Sequence, residues 1–263
     1  MQTRLTTKTQ NTSWNQVAQW YNKIVGEEGH YYHEHLVIPG VLRLLDLKNE
    51  DSLVDLACGQ GILARHVPHL QKYLGLDLSK ELIKEAKNKN KQNNYEFLVC
   101  DLCKLLKAKE EKFDKAAIIL ALQNIEPAEN VIKNAANYLK KGGSLVIVLN
   151  HPCFRIPRQS GWSIDEKSKQ QQRYVNRYLS PLKIPIDIHP GEKNKKQGKN
   201  FTWSFHHSLQ DYSKMLYEAG FVIEKIEEWA SDKDSVGKAA KMENRARAEI
   251  PLFMAIQAKL IQD

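Results

Sequence analysis

The stretch from Ser52 to Gly61, Ser-Leu-Val-Asp-Leu-Ala-Cys-Gly-Gln-Gly, constrains this chain more than any other. A short apolar run ends in Asp55, Gly59 and Gly61 follow, and Ile62-Leu63-Ala64-Arg65 has the composition of a first helical turn. This order predicts a strand, a tight glycine turn and a helix start. Glycine belongs where a side chain would hold the backbone away from a ligand. A helix start leaves N–H groups without intrahelical partners beside that ligand. Open α/β sheets use this device to bind nucleotide-like molecules at the carboxyl ends of their strands.

The glycine spacing alone leaves two cofactors open. Gly59-Gln-Gly61-Ile-Leu-Ala64 fits the loose dinucleotide pattern G-x-G-x-x-G/A, which suggests NAD or FAD. The strands that follow separate the readings. Tyr73-Leu74-Gly75-Leu76-Asp77 and Glu96-Phe97-Leu98-Val99-Cys100-Asp101 each read as a strand ending in an acid. With Asp55, acids then stand at successive strand ends, whereas an NAD site needs only the second. The series matches the polar edges of S-adenosylmethionine. Asp77 can accept both ribose hydroxyls, Asp101 can accept from the exocyclic adenine amine, and Asp55 can meet the methionine ammonium directly or through water.

This series resembles the class I S-adenosylmethionine-dependent methyltransferases, best over residues 50 to 150. That family usually has Asp/Glu-x-Gly-x-Gly-x-Gly at the first loop, and here Ala57 stands in place of the first glycine. The resemblance implies an α/β fold: a Rossmann-like, doubly wound seven-stranded sheet with an antiparallel last strand, an N-terminal helical lid and an insertion after the fifth strand. It implies S-adenosyl-L-methionine as cofactor, held by Tyr21, Asp55, Ala57, Gly59, Gly61, Asp77, Leu78, Asp101, Leu102, Leu120 and Gln123. Tyr21, in Trp20-Tyr21-Asn22, resembles the tyrosine of an aromatic-Tyr-Asp segment that approaches the cofactor; the other reading is an aromatic anchor for the lid helix. Gln123 follows the fourth strand, Phe113 to Leu120, where the family places the transferring methyl.

The expected organisation is a tail and helical lid (1–48), a cofactor-binding core (49–150), an inserted substrate cap (151–207) and a C-terminal part of the core (208–263). In the lid, helical spacing over Tyr31 to Leu47 is interrupted at Pro39-Gly40. Ser79 caps the helix after the second strand, and Ser208 and Gly220 bound another. Ser144 to Leu149 reads as the fifth strand, Phe221 to Trp229 as the sixth, and Pro251 to Ile261 as the last. Between the sixth and last strands the reading is a loop. Within the cap, Arg173 to Tyr178 suggests a short helix and Phe201 to Phe205 a strand.

The formal net charge is +8, and the cap alone carries +7, from seven lysines and four arginines against four acids. Lys193, Lys195, Lys196 and Lys199 cluster there between glycines, as a solvated loop would. Such a loop can attract an acidic substrate, or less readily RNA. No apolar run approaches a membrane span, and the polar N-terminus lacks a signal core, so a cytoplasmic location is expected. The four cysteines read as reduced thiols, although Cys100-x-x-Cys103 has the spacing of a redox or metal pair.

Methyl transfer asks little of a protein: orientation, exclusion of water and sometimes removal of a proton. His151, at the end of the fifth strand, is the first candidate base, with a loop hydrogen bond as its alternative role; His33, in the lid, is the second. A metal reading of His33-x-His35 lacks further ligands, so no metal site is expected. Arg155, Arg158 and Trp162 are candidate substrate contacts, the arginines as clamps for a carboxylate or phosphate. The expected activity is methylation of a small molecule, anionic or aromatic. An RNA or protein methyltransferase, an NAD-binding oxidoreductase and a non-catalytic cofactor-binding protein are the alternatives. The segment Leu122-Gln123-Asn124-Ile125 is not the Asp/Asn-Pro-Pro-aromatic motif of base-amine methyltransferases.

Overall fold

The computed structural model describes residues 30–107, 111–187 and 201–262. Tyr21 and the four clustered lysines of the cap lie outside the described residues. The described chain opens on a π-helical turn, His33–Val37, which runs directly into α1 (Ile38–Leu45). The break expected at Pro39-Gly40 does not occur. Pro39 follows directly on the π-helical turn, in which Ile38 N–H bonds His33 O, and the helical run passes through it. Gly40 lies against Trp229, and a Cβ there would stand 2.5 Å from the indole, so only glycine lets the helix sit this close.

All five residues of β1 (Ser52–Leu56) are buried, the two-sided burial of a central parallel strand. The glycine turn follows. The helix expected after it is reduced to one 3₁₀ turn, Leu63–Arg65. Pro68 is the physical reason: it offers no N–H and drives its predecessor out of helical geometry, so the chain turns toward β2 (Lys72–Asp77). The Ser79 hydroxyl accepts from Leu82 N at 3.2 Å and caps α2 (Lys80–Lys89), as its sequence predicts. β3 (Tyr95–Val99) and β4 (Phe113–Ile119) follow, then α3 (Ala128–Tyr138). β5 (Leu139–Asn150) starts earlier than the expected Ser144. Phe113 pairs with Leu139 but Lys115 with Ser144, so the intervening Lys-Lys-Gly segment bulges from the ladder.

The segment after β5 forms two antiparallel hairpins, β6 (Ser160–Asp165) with β7 (Gln170–Val175), and β8 (Leu182–Asp187) with β9 (Phe201–His206). Arg173 is therefore in a strand, not a helix. It pairs with Trp162, its guanidinium 5.1 Å from the indole, and its Nε donates to Phe154 O at 2.8 Å. α4 (Leu209–Glu218) begins with a reciprocal Ser208–Asp211 capping box. β10 (Phe221–Trp229), α5 (Ala240–Glu249) and β11 (Phe253–Leu260) complete the chain. α5 replaces the expected loop. Its alanine-rich sequence favours helix, but Ala246 is its one buried residue, so it shows no apolar stripe to read.

Seven strands form one sheet in the order β10-β11-β5-β4-β1-β2-β3. β11 is antiparallel to both neighbours, β5 and β10, as expected of the last strand. The sheet separates two apolar clusters. Val54, Leu145, Ile147 and Ile256 pack toward α3 and α4, whereas Leu53, Val146, Val148 and Ala255 pack toward α1 and α2. This alternation is the period-2 rule acting on strands buried on both faces. Strand order reverses between β4 and β1, and the crevice at the carboxyl ends of these strands is where such sheets take ligands.

Candidate functional site

A cavity of about 340 Å³ occupies that crevice. One end is built by the core. Ala57 and Gly59 come from the turn after β1, Asp77 and Leu78 from the end of β2, and Asp101 and Leu102 from the turn after β3. Leu120 and Gln123 lie in the middle, after β4. The far end is made by His33, Asn124, Ile125 and Asn150 together with Pro157, Ile186 and Ser204 of the segment after β5.

The loop geometry shows why these residues are used. Gly59 has φ +55°, and a Cβ built on it meets nothing within 4 Å, so a side chain would project into open space. Its N–H donates to Asp77 Oδ2 at 2.9 Å, and Ser79 N–H donates to Asp77 Oδ1 at 2.8 Å. The two bonds fix the carboxylate while each oxygen keeps a further lone pair. Burial raises the Asp77 pKa, and the two backbone N–H groups oppose that rise. Asp101 is held by Cys103 N at 3.1 Å, with the exposed Lys104 ammonium at 3.4 Å. Leu120, like Ala57, takes a left-handed backbone.

Other expected residues sit elsewhere. Asp55 does not line the cavity. It is 2% exposed and accepts from Tyr73 Oη at 2.6 Å, and burial pushes its pKa up to about 7. Gly61 faces away from the cavity, where a Cβ would meet Asn90 at 2.8 Å and Phe97 at 3.0 Å. Its glycine is explained by φ +72° and by packing against α2 and β3. With a single 3₁₀ turn after it, the loop offers a backbone cradle, not a helix N-terminus.

His151, the first candidate base, is also outside the cavity lining. It is 1% exposed, and both ring nitrogens are engaged. Nδ1 accepts from Cys153 N at 3.2 Å, which places the proton on Nε2, donated to Glu228 Oε1 at 2.6 Å. Burial lowers its pKa against the opposing pull of Glu228. The geometry corresponds to the alternative role, a loop hydrogen bond. His33 does line the cavity, and its Nδ1 is buried without a hydrogen-bond partner among the described residues. Burial first, and His30 second, hold its pKa down at about 4, so the imidazole is neutral at physiological pH.

Arg155, Arg158 and Trp162 do not line the cavity either. Arg158 is exposed; Arg155 is exposed as a residue, yet burial of its guanidinium lowers its pKa against the opposing pull of Tyr32; and Trp162 is the platform for Arg173. Among the described residues, no group of three or more His, Cys, Asp or Glu side chains is placed to hold a metal ion. Sequence reasoning missed Asn150, Pro157, Ile186 and Ser204. Asn150 was one residue from the chosen histidine, at the strand end where the topology directs attention. The others depend on how the hairpins fold back, which no local pattern reports.

Residues 54–147 match a family described as a methyltransferase domain. The chain is 31% identical over 120 residues to the ubiquinone biosynthesis O-methyltransferase of Coxiella burnetii, an alignment covering 42% of this chain and 50% of that one. It thus spans about half the length of that relative. It is 26% identical over 166 residues to the demethylmenaquinone methyltransferase of Porphyromonas gingivalis, covering 56% and 66% of the two chains. A Mesorhizobium loti S-adenosylmethionine-dependent methyltransferase crystal structure superposes with a TM-score of 0.64 at 24% identity, covering 84% of this chain and 96% of that one.

Proposed function

This chain belongs to the class I S-adenosylmethionine-dependent methyltransferases, and on that premise we propose that its methyl acceptor is a small molecule held in the far end of the cavity. The residues present fit the cofactor. The space in front of Gly59 is a cradle that any Cβ would fill, and the Asp77 and Asp101 carboxylates stand at its edge with acceptor capacity left. In this reading Asp77 takes the ribose hydroxyls and Asp101 the adenine amine, with Leu78 and Leu102 as apolar walls. Asp55 acts from behind the loop, by holding Tyr73. When bound, S-adenosyl-L-methionine supplies a methyl group on a sulfonium whose positive charge is lost on transfer.

The remaining work falls to the chain. Gly59 and Ala57 set the backbone close to the ligand. Ile125, Pro157 and Ile186 exclude water from the far end. His33, which lines the cavity, can take a proton from the acceptor, and its buried Nδ1 lacks a partner among the described residues. A low pKa makes His33 a weak resting base. It gains its proton as the sulfonium charge vanishes, so the net charge of the cavity is unchanged. Lid, core and cap then correspond to proton removal, cofactor binding and enclosure.

The observation that carries the small-molecule reading is that Pro157, Ile186 and Ser204 of the segment after β5 line the same cavity as Gly59, Asp77 and Asp101. A base within RNA or a side chain of a folded protein would need an open groove there. The quinone-pathway names of two relatives agree with a small acceptor. The test is transfer of labelled methyl from S-adenosylmethionine into small-molecule, RNA and protein fractions, beside thermal shifts with S-adenosylhomocysteine and NAD. Label in the small-molecule fraction and a shift with S-adenosylhomocysteine alone are expected. Label confined to RNA or protein would overturn the acceptor class.

A further inference from the structure

The cavity has two chemically different ends. Among the described lining residues the carboxylates, Asp77 and Asp101, both lie at the cofactor end. Gln123 stands at the middle, and the far end presents Asn124, Asn150, Ser204 and a neutral His33 with three apolar walls. No arginine, lysine, aspartate or glutamate side chain among the described residues lines that end. The arginines that the sequence offers as anion clamps are exposed outside it.

Gln123 adds a directional demand. It is 8% exposed, in the turn Leu122–Asn124 directly after β4. Its amide orientation follows from one bond: Nε2 lies 2.9 Å from Leu120 O, and a carbonyl oxygen can only accept. The amide nitrogen must therefore face Leu120, and the oxygen must face away from it. That oxygen, Oε1, is buried with no partner among the described residues. A buried acceptor in a ligand cavity without a donor is a cost that a ligand can remove.

We propose that the far end takes an uncharged substrate that donates a hydrogen bond to Gln123 Oε1: a neutral hydroxyl or amide compound, not a carboxylate or phosphate. The proposal rests on the small-molecule methyltransferase reading and narrows it. A carboxylate in this end would lose its hydration, meet no cation among the described lining residues, and face the Gln123 oxygen and neutral side chains. A neutral O–H or N–H loses little hydration and satisfies the orphaned acceptor.

The experiment uses the full chain saturated with S-adenosylhomocysteine. Affinities of benzamide against benzoate, and of phenol against phenyl phosphate, are compared by ligand-observed NMR at neutral pH. The neutral member of each pair is expected to bind at least about tenfold more tightly. Gln123→Leu should remove most of that preference. Gln123→Met is the alternative if the leucine variant misfolds, and the wild-type comparison decides the charge question by itself. Equal or tighter binding of the anions overturns the proposal, as does failure of all four probes. A large loss of S-adenosylhomocysteine affinity in the Gln123 variants would reassign Oε1 to the cofactor and also overturn it. Failure of the wild-type protein to bind S-adenosylhomocysteine would instead strike the methyltransferase reading itself.

Discussion

At the scale of single residues, the turn after β1 holds a strain that its sequence advertises. Ala57 has φ +63°, a conformation in which an L side chain costs roughly 1–2 kcal/mol, at the position where related loops carry glycine. Ala57→Gly relieves the strain but loosens the unfolded chain, so a net gain of about 0.5–1 kcal/mol is expected. A lower urea midpoint for the variant would contradict this. Asp55 makes a second prediction. Its folded pKa is about 7, well above the roughly 3.9 of an unfolded aspartate. Between those values the folded state keeps a proton that the unfolded state has released, so stability falls as pH rises. Asp55→Asn removes that slope, and its advantage over wild type should grow from pH 4 to pH 8, by up to about 4 kcal/mol. Urea titrations at the two pH values decide it, a constant difference counting against the assignment. The same two residues show what strand-end acids conceal. Spacing located Asp77 and Asp101 on the cavity wall, but it could not show that the Asp55 side chain turns back to Tyr73. That direction depends on which face of β1 the residue occupies, and both faces are buried.

At the scale of elements, the segment that carries His33 is pinned at two places. α1 is tied to β10 by Arg43, which donates through both terminal nitrogens to Glu227 and holds that carboxyl down at about 2. The turn before α1 is held by the loop after β10. The Lys233 ammonium lies 4.0 Å from the Tyr31 ring and 5.0 Å from the Tyr32 ring, Tyr31 Oη donates to Asp232, and Tyr32 Oη bonds Ser231 Oγ at 3.0 Å. These residues are partly exposed, so solvent screens each contact and the hold is weak. We predict that Lys233→Ala speeds hydrogen exchange over residues 30–37 while leaving β1 and β4 protected. Uniform acceleration, or none, would show that the lysine does not hold this turn. Nothing in the sequence pairs residues two hundred positions apart on polar contacts alone. The helices and strands were legible because their burial is periodic, and α5 was not because it buries almost nothing.

At the scale of the whole molecule, cofactor binding and enclosure come from different parts of the chain. The cofactor end of the cavity draws on the turns after β1, β2 and β3, with Leu82 of α2. These turns are fixed by the seven-stranded sheet, which explains why this half could be read from spacing and the enclosing half could not. The β6–β7 hairpin contributes no lining residue to the cavity. Its stem is closed by Asn176 N donating to Gln159 O at 2.7 Å, so the chain enters and leaves at neighbouring points. Its main outside contact is with α5. Replacing residues 160–175 by a short glycine-serine link therefore costs little closure entropy. We predict that the shortened protein binds S-adenosylhomocysteine within about threefold of wild type, less than 1 kcal/mol. It should also lose some stability, because Phe154 O loses its bond from Arg173 and α5 loses a neighbour. Calorimetry on a variant shown by circular dichroism to retain its fold gives the answer. A folded variant that fails to bind would mean that the hairpin shapes the cofactor end at a distance, and the division of labour between core and cap would have to be redrawn.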